Sequence, residues 1–268
     1  MDEDPPVIRA RANAQLKDAR AVARGREDGR VLLEGTRLVV DALRPESPLV
    51  VESVLVREGE VPPAAPPGAV RFVAPAALDG IGSLRTTPPV VAVASVPAPR
   101  GADALAERLA AAGPGGLVVC VSGVADPGNL GALARSAEAS GALAFVVAGD
   151  GGARPFGPKA LRGSMGSLLR VPVFEPGSAG AALDALDAAG FESWTAATRG
   201  GESLHRAELG ARTALWLTGE TGAGDAALAR CRGLTIPMAG AVESLNVAVA
   251  GSLLMFEFRR RRNAAIDR

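Results

Sequence analysis

LVVCVSGVADPGNLGALARSAEASGALAFVVA, residues 117–148, is the stretch that decides the architecture. Leu117–Val121 is an unbroken apolar run, the pattern of a strand buried on both faces. Asp126-Pro127-Gly128-Asn129 interrupts it with turn formers. Leu130–Ser140 then reads as a helix, and Leu143–Ala148 as a second apolar strand. Strand, helix and strand in such short order make a crossover unit, whose two strands run parallel.

The pattern continues toward the carboxyl end. Pro158–Ser167 reads as a helix, Val171–Phe174 as a short strand and Ala179–Ala189 as a helix. Ser193–Thr198 and Ala214–Thr218 read as strands, Ala226–Cys231 as helical, and Leu234–Pro237 as a short edge or end strand. Ser244 is placed to cap a long last helix, with Leu245, Val249, Leu253 and Phe256 spaced along one face. The expected fold class is therefore α/β, with a mainly parallel sheet covered on both faces. Toward the amino end, residues 7–24 alternate basic and apolar positions with a helical period. Val31–Leu33, Ser53–Arg57 and Val90–Val96 read as strands, Thr36–Leu43 as a short helix that stops before Pro45, and Val61–Pro67 as a proline-rich loop. The expected division is a small α/β domain over residues 1–100, a linker over 101–115 and a larger α/β domain over 116–268.

Composition narrows the function. The chain has 268 residues, enough for two modest cores, and its 29 basic residues balance 29 acidic ones, so net charge names no partner. The basic residues are unevenly placed, with Arg9, Arg11, Lys17, Arg20, Arg24, Arg26 and Arg30 near the amino end and Arg259–Arg262 near the other. Both groups read as phosphate-binding patches or as solvated surface. Cys120 and Cys231 are too few and too far apart for a metal set or a disulfide framework. With His205 the only histidine and no tyrosine present, histidine-based acid–base or nucleophilic chemistry is ruled out as a ready explanation. Neither a signal-like start nor a membrane-length apolar run is present, which fits a cytoplasmic protein.

Three segments at strand ends remain. Asp126–Arg135 joins a strand to a helix whose first turn carries unpaired N–H groups; a capped helix with one surface arginine reads equally well. Leu217-Thr218-Gly219-Glu220-Thr221-Gly222-Ala223-Gly224-Asp225 is a glycine-rich turn. It lacks the Lys-Ser/Thr of a phosphate loop and the spacing of a dinucleotide site, so it offers bare backbone to a flat, neutral ligand. Ile236–Ala250 leads an apolar Ile-Pro-Met through a glycine-bearing loop into the Ser244-Leu245-Asn246 helix start. A pocket lined by such segments suits an adenine ring with a thioether or sulfonium chain.

In this order, the three segments resemble the three signature motifs of the SpoU/TrmH family of RNA 2′-O-ribose methyltransferases, in the SPOUT superfamily. Lys159–Val173 looks like that family's connecting segment, and Gly29–Val39 resembles the amino-terminal, L30e-like domain of its ribosomal RNA branch. Two departures are local. Pro88-Pro89-Val90 stands where Pro-Gln-Gly is frequent, and Ala223-Gly224-Asp225 where Gly-Leu is common.

The resemblance implies a carboxyl-terminal domain tied in a deep trefoil knot, S-adenosylmethionine as cofactor, and a homodimer acting on RNA. It implies catalytic roles for Arg135, Asn129, Glu220, Ser244 and Asn246. Cofactor contacts are implied at Thr218, Gly219, Ile236, Met238 and Leu245, without a metal. Arg9, Arg11, Arg30 and Arg37 are the candidate substrate-binding residues. The appended first domain favours large-subunit (23S) ribosomal RNA, a class that includes modifications protecting a drug site. The alternatives are a transfer RNA 2′-O-methyltransferase and a homologue that binds cofactor and RNA without catalysis.

Overall fold

The computed structural model describes residues 6–219 and 225–266. They fall into two compact units, one of the chain through Ala98 together with Phe156–Arg162, the other of Pro99–Pro155 together with the chain from Gly163 onward.

In the first unit the elements are β1 (Val7–Ile8), α1 (Ala14–Ala23), β2 (Arg30–Glu34), α2 (Thr36–Ala42), β3 (Val50–Arg57), β4 (Val70–Val73), α3 (Pro75–Leu78) and β5 (Val90–Ser95). The sheet order is β1-β4-β3-β5-β2, with β5 antiparallel to both neighbours and the other pairs parallel. Val91 and Val93 of β5, Leu32 of β2 and Leu55 of β3 bury one face of the sheet against Leu16, Ala19 and Val22 of α1. The single helix expected over 7–24 is corrected here. Val7–Ile8 pairs with β4, and the helix begins only where the Asn13 side chain accepts the Gln15 N–H at 2.9 Å. The apolar residues at Leu16, Ala19 and Val22 carry the helical period; Val7 and Ile8 belong to the sheet.

The second unit contains α4 (Ala102–Ala110), β6 (Gly116–Ser122), α5 (Pro127–Ser140), β7 (Ala144–Ala148), β8 (Val173–Phe174), α7 (Ala179–Ala188), β9 (Glu192–Ala196), β10 (Glu202–Ser203), β11 (Arg212–Thr218), β12 (Arg232–Thr235) and α8 (Val247–Ile266). The short helix α6 (Pro158–Gly163), which falls with the first unit as far as Arg162, precedes in the chain a 3-10 turn at Ser167–Leu169, and a second such turn spans Ala226–Arg230. All seven strands are parallel, in the order β10-β12-β9-β11-β6-β7-β8. On one face Trp216, Cys120, Val146 and Phe174 pack against Leu105 and Leu109 of α4 and Leu183 and Leu186 of α7. α4, the helix within residues 101–115, belongs to this core. On the other face α5 and α8 pack together, joined by a 2.7 Å bond between the Ser136 and Ser252 hydroxyls. Gly251 allows the approach: a Cβ there would lie 2.5 Å from Leu133 and 2.6 Å from Leu217.

Other boundaries differ from expectation for local reasons. α6 ends at Gly163, since Met165 and Gly166 both have positive φ. β12 is not the edge strand, because the two-residue β10 pairs outside it. α5 starts at Pro127, three residues earlier than read, because the Asp126 carboxylate caps it by accepting the Asn129 N–H at 2.8 Å. No described helix is long and apolar enough to cross a membrane.

Candidate active site

Parallel strands leave their carboxyl ends on one side of a sheet, where connecting loops form a crevice. Here the ends of β6, β9, β11 and β12 meet the starts of α5 and α8 around a cavity of about 670 Å³. Val124, Leu217, Leu234, Ile236, Met238 and Leu245 give it apolar walls, and Gly123, Thr218 and Gly219 bring backbone to its edge. Among the described lining residues Asp126 is the sole ionisable one; no lysine or arginine is present. The floor is a close backbone contact. Gly219 donates to the Ser122 carbonyl at 2.9 Å, and a Cβ on Gly219 would come within 1.9 Å of the Gly123 carbonyl oxygen. Only glycine fits there without displacing β6.

The five expected cofactor positions, Thr218, Gly219, Ile236, Met238 and Leu245, all line this cavity. Asn129, Ser244 and Asn246 join them. Asn246 has two tasks. Its side-chain oxygen accepts the Ala248 and Val249 N–H groups at 2.9 and 3.3 Å, so it caps α8, and its amide N–H donates to the Asn129 side-chain oxygen at 3.1 Å. The first turns of α5 and α8 are thus tied by an amide pair at the cavity rim. Ser244 is exposed on the rim and is not the cap. Arg135 is different. It lies on α5 two turns beyond Asn129, exposed and outside the described cavity lining. Glu220 lies outside the described residues.

Sequence reasoning did not place Ala196, Ala197 and Thr198 in the site, yet they form one wall. Their strand was legible, but β9 reaches the site only because it sits between β11 and β12, an adjacency that no local signal encodes. Gly123 was likewise missed; its signal was a glycine directly after an apolar strand.

The four arginines proposed for substrate sit in the first unit in unlike settings. Arg30 hydrogen-bonds Asp18 (2.8 Å), Glu52 (2.6 Å) and Glu27 (2.6 Å), and bonds from Asp18 and Glu52 hold its charge more firmly than usual despite partial burial. Arg11 donates to the Ala76 and Asp79 carbonyls, and Arg9 pairs with Glu58 at 2.7 Å. Arg37 is exposed at the start of α2. At the other end, the expected basic tail is largely occupied: Arg260 and Arg261 pair with Glu257, Arg261 also bonds the Leu204 and Ala207 carbonyls, and Arg259 bonds the Ala139 carbonyl. Both cysteines resist ionisation. Burial, then the nearby Cys231, raises the Cys120 thiol, and burial with Asp187 pushes Cys231 up to about 11. The described residues contain no group of three metal-binding side chains.

The sequence model described as the SpoU rRNA Methylase family matches residues 116–256. Among solved structures, the chain is similar to an RNA 2′-O ribose methyltransferase, with 28% identity over 96% of this chain and 99% of that one at a TM-score of 0.75. It is also similar to the SpoU methyltransferase AviRb from Streptomyces viridochromogenes in complex with AdoMet, with 28% identity over 94% and 100% of the two chains and a TM-score of 0.78. A structure concerned with 2-OH methylation of C/U34 on tRNA matches 57% of this chain and 99% of its own, with 30% identity and a TM-score of 0.51. No curated protein matches.

Proposed function

The chain belongs to the SpoU rRNA methylase family of RNA 2′-O-methyltransferases, and from that premise we propose that it methylates a ribose 2′-hydroxyl of large-subunit ribosomal RNA, with S-adenosylmethionine as donor. The observation that carries the donor assignment is the cavity wall. A triphosphate is commonly neutralised by side-chain cations, and the described lining has neither lysine nor arginine. A ligand with a flat base and a positive sulfur meets apolar walls, bare glycine backbone and no like charge. The volume falls within the usual range of small-molecule sites. When bound, S-adenosylmethionine supplies a methyl group already activated on a sulfonium.

The task left to the protein is alignment, charge control and exclusion of water. We assign Thr218, Gly219, Ile236, Met238 and Leu245 to holding the donor, mainly through shape and backbone. Asn129 and Asn246, bonded to one another, keep the two helix starts at a fixed separation and leave Ser244 on the rim toward the incoming ribose. Glu220 joins them by resemblance. We assign Arg135 an electrostatic role in the methyl transfer. Its exposure suits it to a backbone phosphate beside the target ribose, where its charge favours the developing alkoxide.

The support for a ribosomal substrate is the family description, SpoU rRNA Methylase, together with methyltransferase structures that align along nearly the whole chain, whereas the tRNA-related structure aligns along little more than half. Of the four first-unit arginines, Arg37 is the one we retain as an RNA contact, since Arg11 and Arg30 are engaged within their unit. A homodimer fits the exposed apolar row Val249, Leu253 and Phe256 on α8. The knotted carboxyl-terminal crossing and a cytoplasmic location belong to the same proposal. The test is to incubate the protein with S-adenosylmethionine and either 23S ribosomal RNA or transfer RNA, then map 2′-O-methyl groups. One new methyl group in 23S RNA is expected, and Arg135→Ala lowers kcat by about 100-fold with donor affinity unchanged. Methylation of transfer RNA alone would overturn the substrate, and absence of donor binding the whole reading.

A further inference from the structure

Among the described residues one side chain other than glycine has a left-handed backbone: Met165, with φ +51°. Gly166 follows at φ +82°, so two consecutive residues take a conformation that L side chains seldom adopt. Such strain persists only where surrounding structure over-determines it, and here the constraints are visible. Ser164 is fully buried; its carbonyl accepts the Ser167 N–H at 3.0 Å, and its hydroxyl accepts the Leu168 N–H at 3.4 Å. Arg170 donates to the Met165 carbonyl at 3.3 Å and to the Ser167 hydroxyl at 3.4 Å, while gripping the Glu138 carboxylate at 2.6 and 2.9 Å. Burial would raise the Glu138 carboxyl, but bonds from Arg170 and Ser167 hold it below the usual range, so this anchor stays charged. The Met165 side chain nevertheless stands 46% exposed.

This segment lies along one particular face of α5. At its start, a Cβ on Gly163 would touch Gly128 O at 3.3 Å and Gly131 Cα at 3.6 Å. At its end Arg170 meets Glu138. Gly131, Arg135 and Glu138 are spaced by four and three residues and therefore share that face. Arg135 is exposed on α5 between Gly131 and Glu138, the two positions of that face against which this segment packs.

We propose that Met165 is a substrate-positioning residue, whose thioether packs on the nucleobase next to the methylated ribose while Arg135 takes the adjoining phosphate. A cation beside a soft apolar side chain matches the two faces a nucleotide presents: a charged backbone, and a base that packs on apolar surfaces and sulfur. The inference rests on the RNA reading above.

The test is a KM-against-kcat comparison on the methylated RNA for Met165→Ala, Met165→Gly and Met165→Leu, with donor affinity and melting temperature measured alongside. Alanine and glycine raise the RNA KM by about 3- to 10-fold and leave kcat and donor affinity unchanged. Leucine, which keeps the apolar volume, restores KM. Glycine also raises Tm by relieving the left-handed strain, so its loss of RNA affinity cannot come from poor folding. Wild-type KM in both the alanine and glycine variants, or failure of leucine to rescue, overturns the proposal. Arg135→Ala is run in parallel as the control on the parent reading, where the loss falls on kcat. If the wild-type protein methylates no RNA, that parent reading fails by itself, and filter binding of 23S ribosomal RNA to wild type and the Met165 variants still decides this one.

Discussion

Asn246 shows how one side chain joins stability to function. Its oxygen caps α8 and its nitrogen holds Asn129, so the same amide starts the last helix and fixes the cavity rim. The two tasks separate by substitution. Asn246→Ala removes both, and loss of a cap costs about 1 kcal/mol, a fall of about 2–4 °C in Tm for a chain of this size. Asn246→Ser keeps a capping oxygen but lacks the amide donor. It is expected to melt near the wild-type temperature while methylating RNA at the slow rate of the alanine variant; equal rates for serine and wild type would remove the Asn129 bridge from the argument. At this scale the sequence was informative about residue type and silent about partners. Arg30 was legible as a cation near the amino end, but not as the hub of three carboxylates, because Glu52 reaches it only once β2 and β3 have joined the same sheet.

Elements were legible where the period was long and weak where it was short. β6, β7 and β11 stood out as apolar runs because both of their faces are buried. β1 and β10 have two residues each, too few for any alternation to register. In α8 the repeat was visible, but two faces satisfy it: Ala248, Gly251, Leu254, Met255 and Phe258 are buried, whereas Val249, Leu253 and Phe256 are not. The same helix carries a pH-sensitive anchor. The Arg260 hydrogen bond, opposed by partial burial and aided by Arg261, holds the Glu257 carboxyl down at about 2. An ordinary carboxylate titrates near about 4.3, so the folded state favours the ionised form. This contribution is complete above the ordinary value and is lost as pH falls from there toward 2. Melting curves between pH 6 and pH 2 should therefore drop more steeply for wild type than for Glu257→Gln in the lower half of that range. Parallel curves would show that these ion pairs contribute nothing measurable.

For the whole molecule, balanced charge means that RNA affinity depends on where cations remain available. Many arginines are already engaged by carboxylates or carbonyls, whereas Arg37 and Arg135, the proposed phosphate contacts, are exposed. Assembly is the second global property. Leu253 is 47% exposed in the middle of the apolar row on α8, and a charge there would be desolvated in any interface it joined. In the proposed homodimer, Leu253→Glu is expected to yield a monomer in sedimentation equilibrium, with no loss of helix signal. A variant that still sediments as a dimer would place the interface elsewhere.

From the chain alone came the alternation of apolar strands with helices, and the three strand-end segments whose glycines and polar residues belong to a site. These are local properties, written in hydrophobic period and turn chemistry, and the family resemblance those segments carry named eight of the residues that line the cavity. Folding decided what sequence separation conceals: that β9 lies between β11 and β12, that Asn129 and Asn246 meet, and that Arg135 stands outside the described cavity lining. Each of these depends on which elements become neighbours, and that is settled by burying whole faces together, a choice no single segment carries.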